Sequence, residues 1–405
     1  MKYSWVDGGV TAAVGFRAAG MVSGIKVSGK LDLALVVSDV PAVAAGSFTK
    51  NLVQAASVVY DRNLLQERAA VRAMVVNSGN ANAATGQKGV EAVQETVESF
   101  AKALGVAPEE ILVASTGVIG VPLPIEKIRD AAPSLAAKAS REGYTDAAQA
   151  ILTTDLTLKQ CAVQAEIDGK TFRLGGMAKG SGMIHPNMAT MLAFVTSDCD
   201  VEVNLWRALV AKAVDCSFNQ ITVDGDTSTN DLLIALANGQ AGNKTIADPA
   251  SPEALLLEEM LVAVCVDLAK AVVRDGEGAT KLIEVQVSGA TEDAGARQIA
   301  KTVVGSSLVK SAMFGNDPNW GRLAAAAGRA GVTFDPELLQ IDLGAFALMK
   351  GGQPLIYDRP AAAAYLKSEK TVIVQISVGI GPGIGLAWGC DLSYDYVKIN
   401  AEYTT

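Results

Sequence analysis

The residues best able to do chemistry crowd into one stretch, Gly175 to Asp198, which reads GGMAKGSGMIHPNMATMLAFVTSD. Glycines and a proline dominate its first half, so the backbone there suits tight turns and close approach to a ligand. It carries one cation, Lys179, and the only histidine of the protein, His185. Ala189-Thr190 then opens an apolar run, Met191 to Val195, that predicts a buried strand. A hydroxyl residue delivered to the first position of a core strand has two uses. Its side chain caps local backbone in a turn. Alternatively the chain cuts itself before Thr190, and the new α-amine serves as base for the hydroxyl beside it. A single histidine leaves little room for the usual base of hydrolases, since a Ser-His-Asp site or a histidine-built zinc site would have only His185 to draw on.

Acyl transfer by Thr190 would need three further groups. An oxyanion needs preorganised donors. Thr116-Gly117, at the end of an apolar run from Ile111 to Ala114, offers a hydroxyl and a backbone N–H, although such a pair also simply ends a strand. A substrate carboxylate needs a cation, for which Lys179 is the candidate against the commoner fate of a surface lysine. A cationic group on a substrate would need a carboxylate. Glu277, in RDGEGATK, would serve, or is a solvated turn residue. Other glycine-rich signals fail on spacing. GGMAKGSG places Lys-Gly-Ser where a phosphate loop needs Gly-Lys-Ser, and GIGPGIG at Gly379–Gly385 lacks the third glycine and the room for a βαβ unit. Asp224 to Asp231 resembles a calcium loop but lacks its glycine and its closing glutamate, so it reads as a hydrogen-bonded turn.

The elements that must position these residues follow from periodicity. Short strands are expected at LDLALVVSD, VAAGSFTK and AASVVY, and again over Arg72 to Val76. Val90, Val93, Val97, Phe100 and Leu104 predict a helix capped by Gly105. Ile125 to Ser140, bent or interrupted at Pro133, and Thr145 to Leu152 also read as helices. Cys161 to Ile167 alternates, and Asp168-Gly169 supplies a hairpin turn into Thr171–Leu174 and the glycine-rich loop. Leu205 to Val214 and a largely apolar Ala254 to Arg274 predict helices, with strands at Leu282–Val287, Leu338–Leu343 and Val372–Val378. This alternation with hairpins predicts mixed α/β layers, helices covering sheets.

Half of the 405 residues are hydrophobic but only 5% aromatic, so a large core must be packed with Ala, Val, Leu and Ile. A net charge of −9 argues against nucleic acid or an anionic membrane as partner. No apolar run reaches a membrane span, the start MKYSWVDGG lacks a signal-peptide core, and the five cysteines form no C-x-x-C pair. The expectation is a soluble cytoplasmic protein with reduced thiols.

Beyond the central stretch, DGGVTAAVGFRAAG, VVNSGNANAATG, ASTGVIG, ITVDGDTSTND, GNDPNWGR and AWGCDLSYDYVKINAEYTT follow one another along the chain. Together they resemble the ornithine acetyltransferase family, the bifunctional glutamate N-acetyltransferases of arginine biosynthesis, over essentially the whole length. The resemblance implies cleavage between Ala189 and Thr190, giving chains 1–189 and 190–405 that share one fold and associate two with two. It implies that Thr190 takes the acetyl group of N-acetylornithine and passes it to glutamate, with Thr116 and Gly117 as the oxyanion hole. Thr154 (Thr153 being its alternative), Lys179, Thr190, Glu277, Asn400 and Thr405 would line the substrate site. No cofactor or metal is implied, and some members also accept acetyl-CoA as donor. The rival readings are an amidohydrolase or aminopeptidase with the same self-cut nucleophile, and a non-enzymatic amino-acid-binding protein.

Overall fold

The computed structural model describes residues 3–167, 169–185 and 191–402. The expected cleavage pair Ala189-Thr190 and the tail residue Thr405 lie outside the described residues, as does Asp168 of the expected hairpin turn. Strands β1 (Ser4–Val6), β2 (Phe16–Met21), β3 (Leu33–Phe48), β4 (Ala70–Asn80) and β5 (Ile111–Val118) come first. β6 (Lys159–Ile167), β7 (Lys170–Lys179), β8 (Leu192–Ser197), β9 (Ile221–Thr222) and β10 (Leu232–Ala237) follow. The last third adds β11 (Leu282–Gly289), β12 (Gln340–Leu343), β13 (Phe346–Lys350), β14 (Gln353–Pro354), β15 (Thr371–Ser377) and β16 (Gly381–Cys390). Among the described residues they form a nine-stranded and a seven-stranded mixed sheet.

β3 organises the larger sheet. Its first half pairs antiparallel with β2 and β4, its second half with β10, and its register with β4 slips between Val37 and Ala42. Pro41 sits inside the slip, where a residue without an N–H costs no ladder bond. The two halves of the sheet therefore face one another across a core that joins Val36, Met74 and Leu112 to Met177, Phe194 and Ile234. Outside one half, the helices Gln87–Leu104 and Ile125–Lys138 cover Leu35, Val75 and Val113. Outside the other, the helices Val203–Cys216 and Pro252–Arg274 bury Trp206, Leu257 and Leu268 against Ala193, Val195 and Leu233. Four layers result, helix, sheet, sheet, helix, which is the mixed α/β layering expected from the sequence. β8 and β10 are buried at every position because both of their faces are covered. Small residues allow the close approach: a Cβ at Gly176 would stand 2.9 Å from Leu268 Cδ1. The smaller sheet packs one face on the helices of residues 293–328 and 359–368, around Val285, Val374, Ile299 and Leu366. Trp388 and Cys390, at the end of β16, join the core of the larger sheet.

Several elements differ from expectation. AASVVY is the start of the helix Ala56–Glu67, where Ser57, Val58, Asp61, Leu64 and Leu65 make one buried face; three- and four-residue spacing outweighs the β-branched pair. LDLALVVSD and VAAGSFTK are one strand, because the bulge at Pro41 bends it without ending it. Pro133 lies inside an unbroken helix. The expected loop at Gly175 begins later, since β7 runs through Gly175 and Gly176 to Lys179. Gly175 is needed there as a strand residue: a Cβ would meet the Gly9 carbonyl oxygen at 1.9 Å. Residues on the two sides of the expected cleavage point interleave. β8 lies between β7 and β10, and β10 pairs with β3, so neither part holds its strands as a separate domain.

Candidate active site

The ends of β5 and β7 and the starts of β8 and β10 converge on one mouth of the two-sheet core, around a cavity of about 440 Å³. Thr116, Gly117, Thr153, Thr154, Lys179, Glu277 and Asn400 all line it. Met191 lines it too, and its preceding residue in the chain is Thr190. The structure thus brings together every described residue that sequence reasoning assigned to the site.

Thr116 and Gly117 end β5, where the strand runs beside β4. Gly117 has φ of +135°, and a Cβ there would meet the Gly79 carbonyl carbon at 2.3 Å. Only glycine fits, which fixes the peptide at the cavity wall. Lys179 closes β7 and is buried, and its Nζ donates to Thr116 Oγ1 at 3.3 Å. An ammonium has donors only, so Thr116 accepts here and its own hydroxyl proton remains to be given elsewhere. That arrangement presets the hydroxyl as a donor. Burial lowers the Lys179 pKa below the usual lysine value, and the charge of Asp155 opposes that shift most strongly.

Glu277 follows the long Pro252–Arg274 helix. Its backbone N–H donates to the Ser181 carbonyl at 2.9 Å, and its Oε2 accepts from Asn400 Nδ2 at 2.9 Å. Gly182 lies flat against this carboxylate: a Cβ would come 2.4 Å from Oε2. The C-terminal helix Tyr394–Glu402 thereby brings Asn400 into the cavity, a placement that only the family resemblance implied. Thr154 Oγ1 and Ser181 Oγ share a hydrogen bond of 2.7 Å, and both Thr153 and Thr154 reach the cavity.

His185 is turned to structural use. Its Nδ1 lies 2.9 Å from Thr222 Oγ1, its carbonyl accepts from Thr227 Oγ1, and burial lowers its pKa to about 4. Asp224 accepts from the N–H groups of Met183 and Ile184 at 2.6 and 2.8 Å, so the expected turn holds the glycine-rich segment in place.

Sequence reasoning missed two features. Asn230 spans the layers, its Nδ2 donating to the carbonyls of Ala81 and Ser115 at 2.5 and 2.8 Å. A buried triad, Asp155, Lys159 and Asp275, lies behind the cavity. The four-residue spacing of Asp155 and Lys159 was visible, but nothing in the sequence shows a lysine to be buried.

The chain matches the family model described as ArgJ family over residues 17–405. It is 69% identical over 403 residues to the arginine biosynthesis bifunctional protein ArgJ of Gloeobacter violaceus, covering 100% of this chain and 99% of that one. The protein of the same name from Thermosynechococcus vestitus is 59% identical over 414 residues, covering 99% of each. A crystal structure of arginine biosynthesis bifunctional protein argJ from Bacillus halodurans is 45% identical with a TM-score of 0.52, covering 53% of this chain and 100% of that one. By these matches the chain belongs to the ArgJ family.

Proposed function

We propose that this chain is an acetyltransferase of arginine biosynthesis that cuts itself between Ala189 and Thr190 and works through an acetyl-Thr190 enzyme. The observation that carries the reading is the convergence of a hydroxyl–glycine N–H pair, a buried lysine and a carboxylate on one cavity beside Met191. The Bacillus halodurans chain adds support, because the share of this chain it matches equals the share made up by residues 190–405.

In this reading the Thr190 hydroxyl attacks the acetyl carbonyl of N-acetylornithine and its proton passes to the Thr190 α-amine. Thr116 Oγ1 and the Gly117 N–H stabilise the resulting oxyanion. The C–N bond breaks, the amine proton goes to the leaving nitrogen, and ornithine departs. Glutamate then attacks the acetyl ester through its amine, giving N-acetylglutamate and restoring Thr190. Lys179 holds the substrate carboxylate and Glu277 with Asn400 the amino-acid ammonium, with Thr154 and Thr405 completing the wall. The base is the α-amine, since His185 is bonded to Thr222. Acetyl-CoA is a second candidate donor, by the bifunctional name of the relatives. The cut chains associate as two of each in the cytoplasm, where the five free thiols would stay reduced.

Incubation with N-acetylornithine alone tests the chemistry. One ornithine per site should be released, and mass spectrometry should find one acetyl group on the peptide beginning at Thr190. Adding glutamate should discharge it as N-acetylglutamate. Steady release of acetate without glutamate would make the protein a hydrolase instead.

A further inference from the structure

Lys159 begins β6 and is fully buried, as is Asp155; Asp275 keeps 5% of its side chain exposed. Lys159 Nζ donates to Asp155 Oδ1 at 2.7 Å, to Asp275 Oδ2 at 2.5 Å and to the Thr157 carbonyl at 3.3 Å. Each carboxylate also gathers backbone. Asp155 accepts from Gly180 N–H at 2.7 Å and Thr153 N–H at 3.0 Å. Asp275 accepts from Leu156 and Thr157 N–H at 3.0 and 3.2 Å.

These bonds join three walls of the cavity. The first is the turn bearing Thr153 and Thr154. The second is Gly180, next to Lys179. The third is the end of the long helix, two residues before Glu277. A buried ion pair is weak evidence for stability, because apolar residues of the same shape serve as well or better. Three buried ions against the substrate cavity therefore call for another role.

We propose that Asp155 and Lys159 are positioning residues: the Asp155–Lys159–Asp275 triad fixes three cavity walls around one buried ammonium, and Asp155 is the charge against which Lys179 stays cationic and binds the substrate carboxylate. The inference rests on the acetyl-transfer reading for the role of Lys179. Placement supports it: Asp155 accepts from the N–H of Gly180, the neighbour of Lys179, and its charge favours the Lys179 ammonium most strongly, whereas Asp275 joins the triad through Lys159. Lys179 is also faced by Lys159, Asp231 and Glu277, and Lys26 stands nearby with its ammonium on the carbonyls of Leu31 and Leu152. Asp155, although buried, is held well below the usual carboxylate range, chiefly by Lys179 and Lys159.

The test is calorimetric binding of glutarate, which has no acetyl group to transfer and whose carboxylates do not titrate between about pH 6 and about pH 9, to processed wild type, Asp155→Asn and Asp275→Asn. Wild-type affinity should be flat across that range. Asp155→Asn removes the charge facing Lys179, a neighbour whose loss moves a pKa by ~1–3 units. Its affinity should fall on the order of tenfold per pH unit in the upper part of the range, as the ammonium is lost. Asp275→Asn breaks the same triad from the far side and should lose thermal stability comparably while keeping the flat profile. A flat profile for Asp155→Asn would overturn the proposal. If that variant does not fold, the wild type decides alone: affinity that declines as pH rises would show that the triad does not keep Lys179 charged. Acetyl transfer by the wild type is assayed in parallel, so a failure of the functional reading appears there and not in the variant comparison.

Discussion

Replacing Thr116 with valine removes a hydroxyl and keeps the volume, so it separates the chemistry of this residue from its packing. Thr116 Oγ1 receives the Lys179 ammonium at 3.3 Å, which leaves the hydroxyl proton for the oxyanion. Loss of one oxyanion donor costs about 10²–10³ in turnover, or ~2.7–4 kcal/mol of transition-state stabilisation. A second effect is separable. Lys179 is buried and loses its acceptor, and a hydrogen bond to a charged group contributes about 1.5–3 kcal/mol. That cost appears in thermal stability and in ground-state binding, hence in KM. Steady-state kinetics on fully processed Thr116→Val should show kcat down at least about a hundredfold, with a smaller rise in KM. Thr116→Ser, which restores the hydroxyl, should recover most of the rate. An unchanged kcat with a raised KM would refute the oxyanion assignment and make Thr116 a binding residue.

Other residues carry their own expectations. Asn230→Ala withdraws two buried hydrogen bonds that join the layers; a loss of about 2–4 kcal/mol should be read in denaturant unfolding. His185→Gln, once processed, should keep most of its acetyl transfer, and a fall of about a thousandfold would return the base role to histidine. The same residue shapes acid stability. Its folded pKa of about 4 lies below the ordinary 6.5, so its contribution is fully present above 6.5 and is lost as pH falls toward 4. Melting temperatures across that window should drop in the wild type and drop less in His185→Gln.

Much of the site was legible because its chemistry is local in sequence. A Thr-Gly pair closing an apolar run is a pattern that a strand with an exposed end produces, and Thr116-Gly117 stands so on β5. The helix Gln87–Leu104 was equally plain, since its period and its left-handed Gly105 cap agree. Tertiary cooperation was not legible. Lys159 reads as any other lysine until β6, the 153–157 turn and Asp275 surround it. Ala55 to Tyr60 looks extended until the whole face through Leu65 is counted. Asn400 lies far along the chain from the other site residues, and the contact of the Tyr394–Glu402 helix with Glu277 brings it to the cavity. The bend of β3, which turns one sheet into two layers, depends on partners from three distant segments.

The central claim is that the nucleophile is created by cleavage, and N-terminal sequencing of the purified protein tests it most directly. Two chains should be found, the second beginning TMLAFVTSD, and Thr190→Ala should remain one uncut and inactive chain. An intact wild-type chain that transfers acetyl groups, or a Thr190→Ala protein that is still cut at Ala189, would contradict the account.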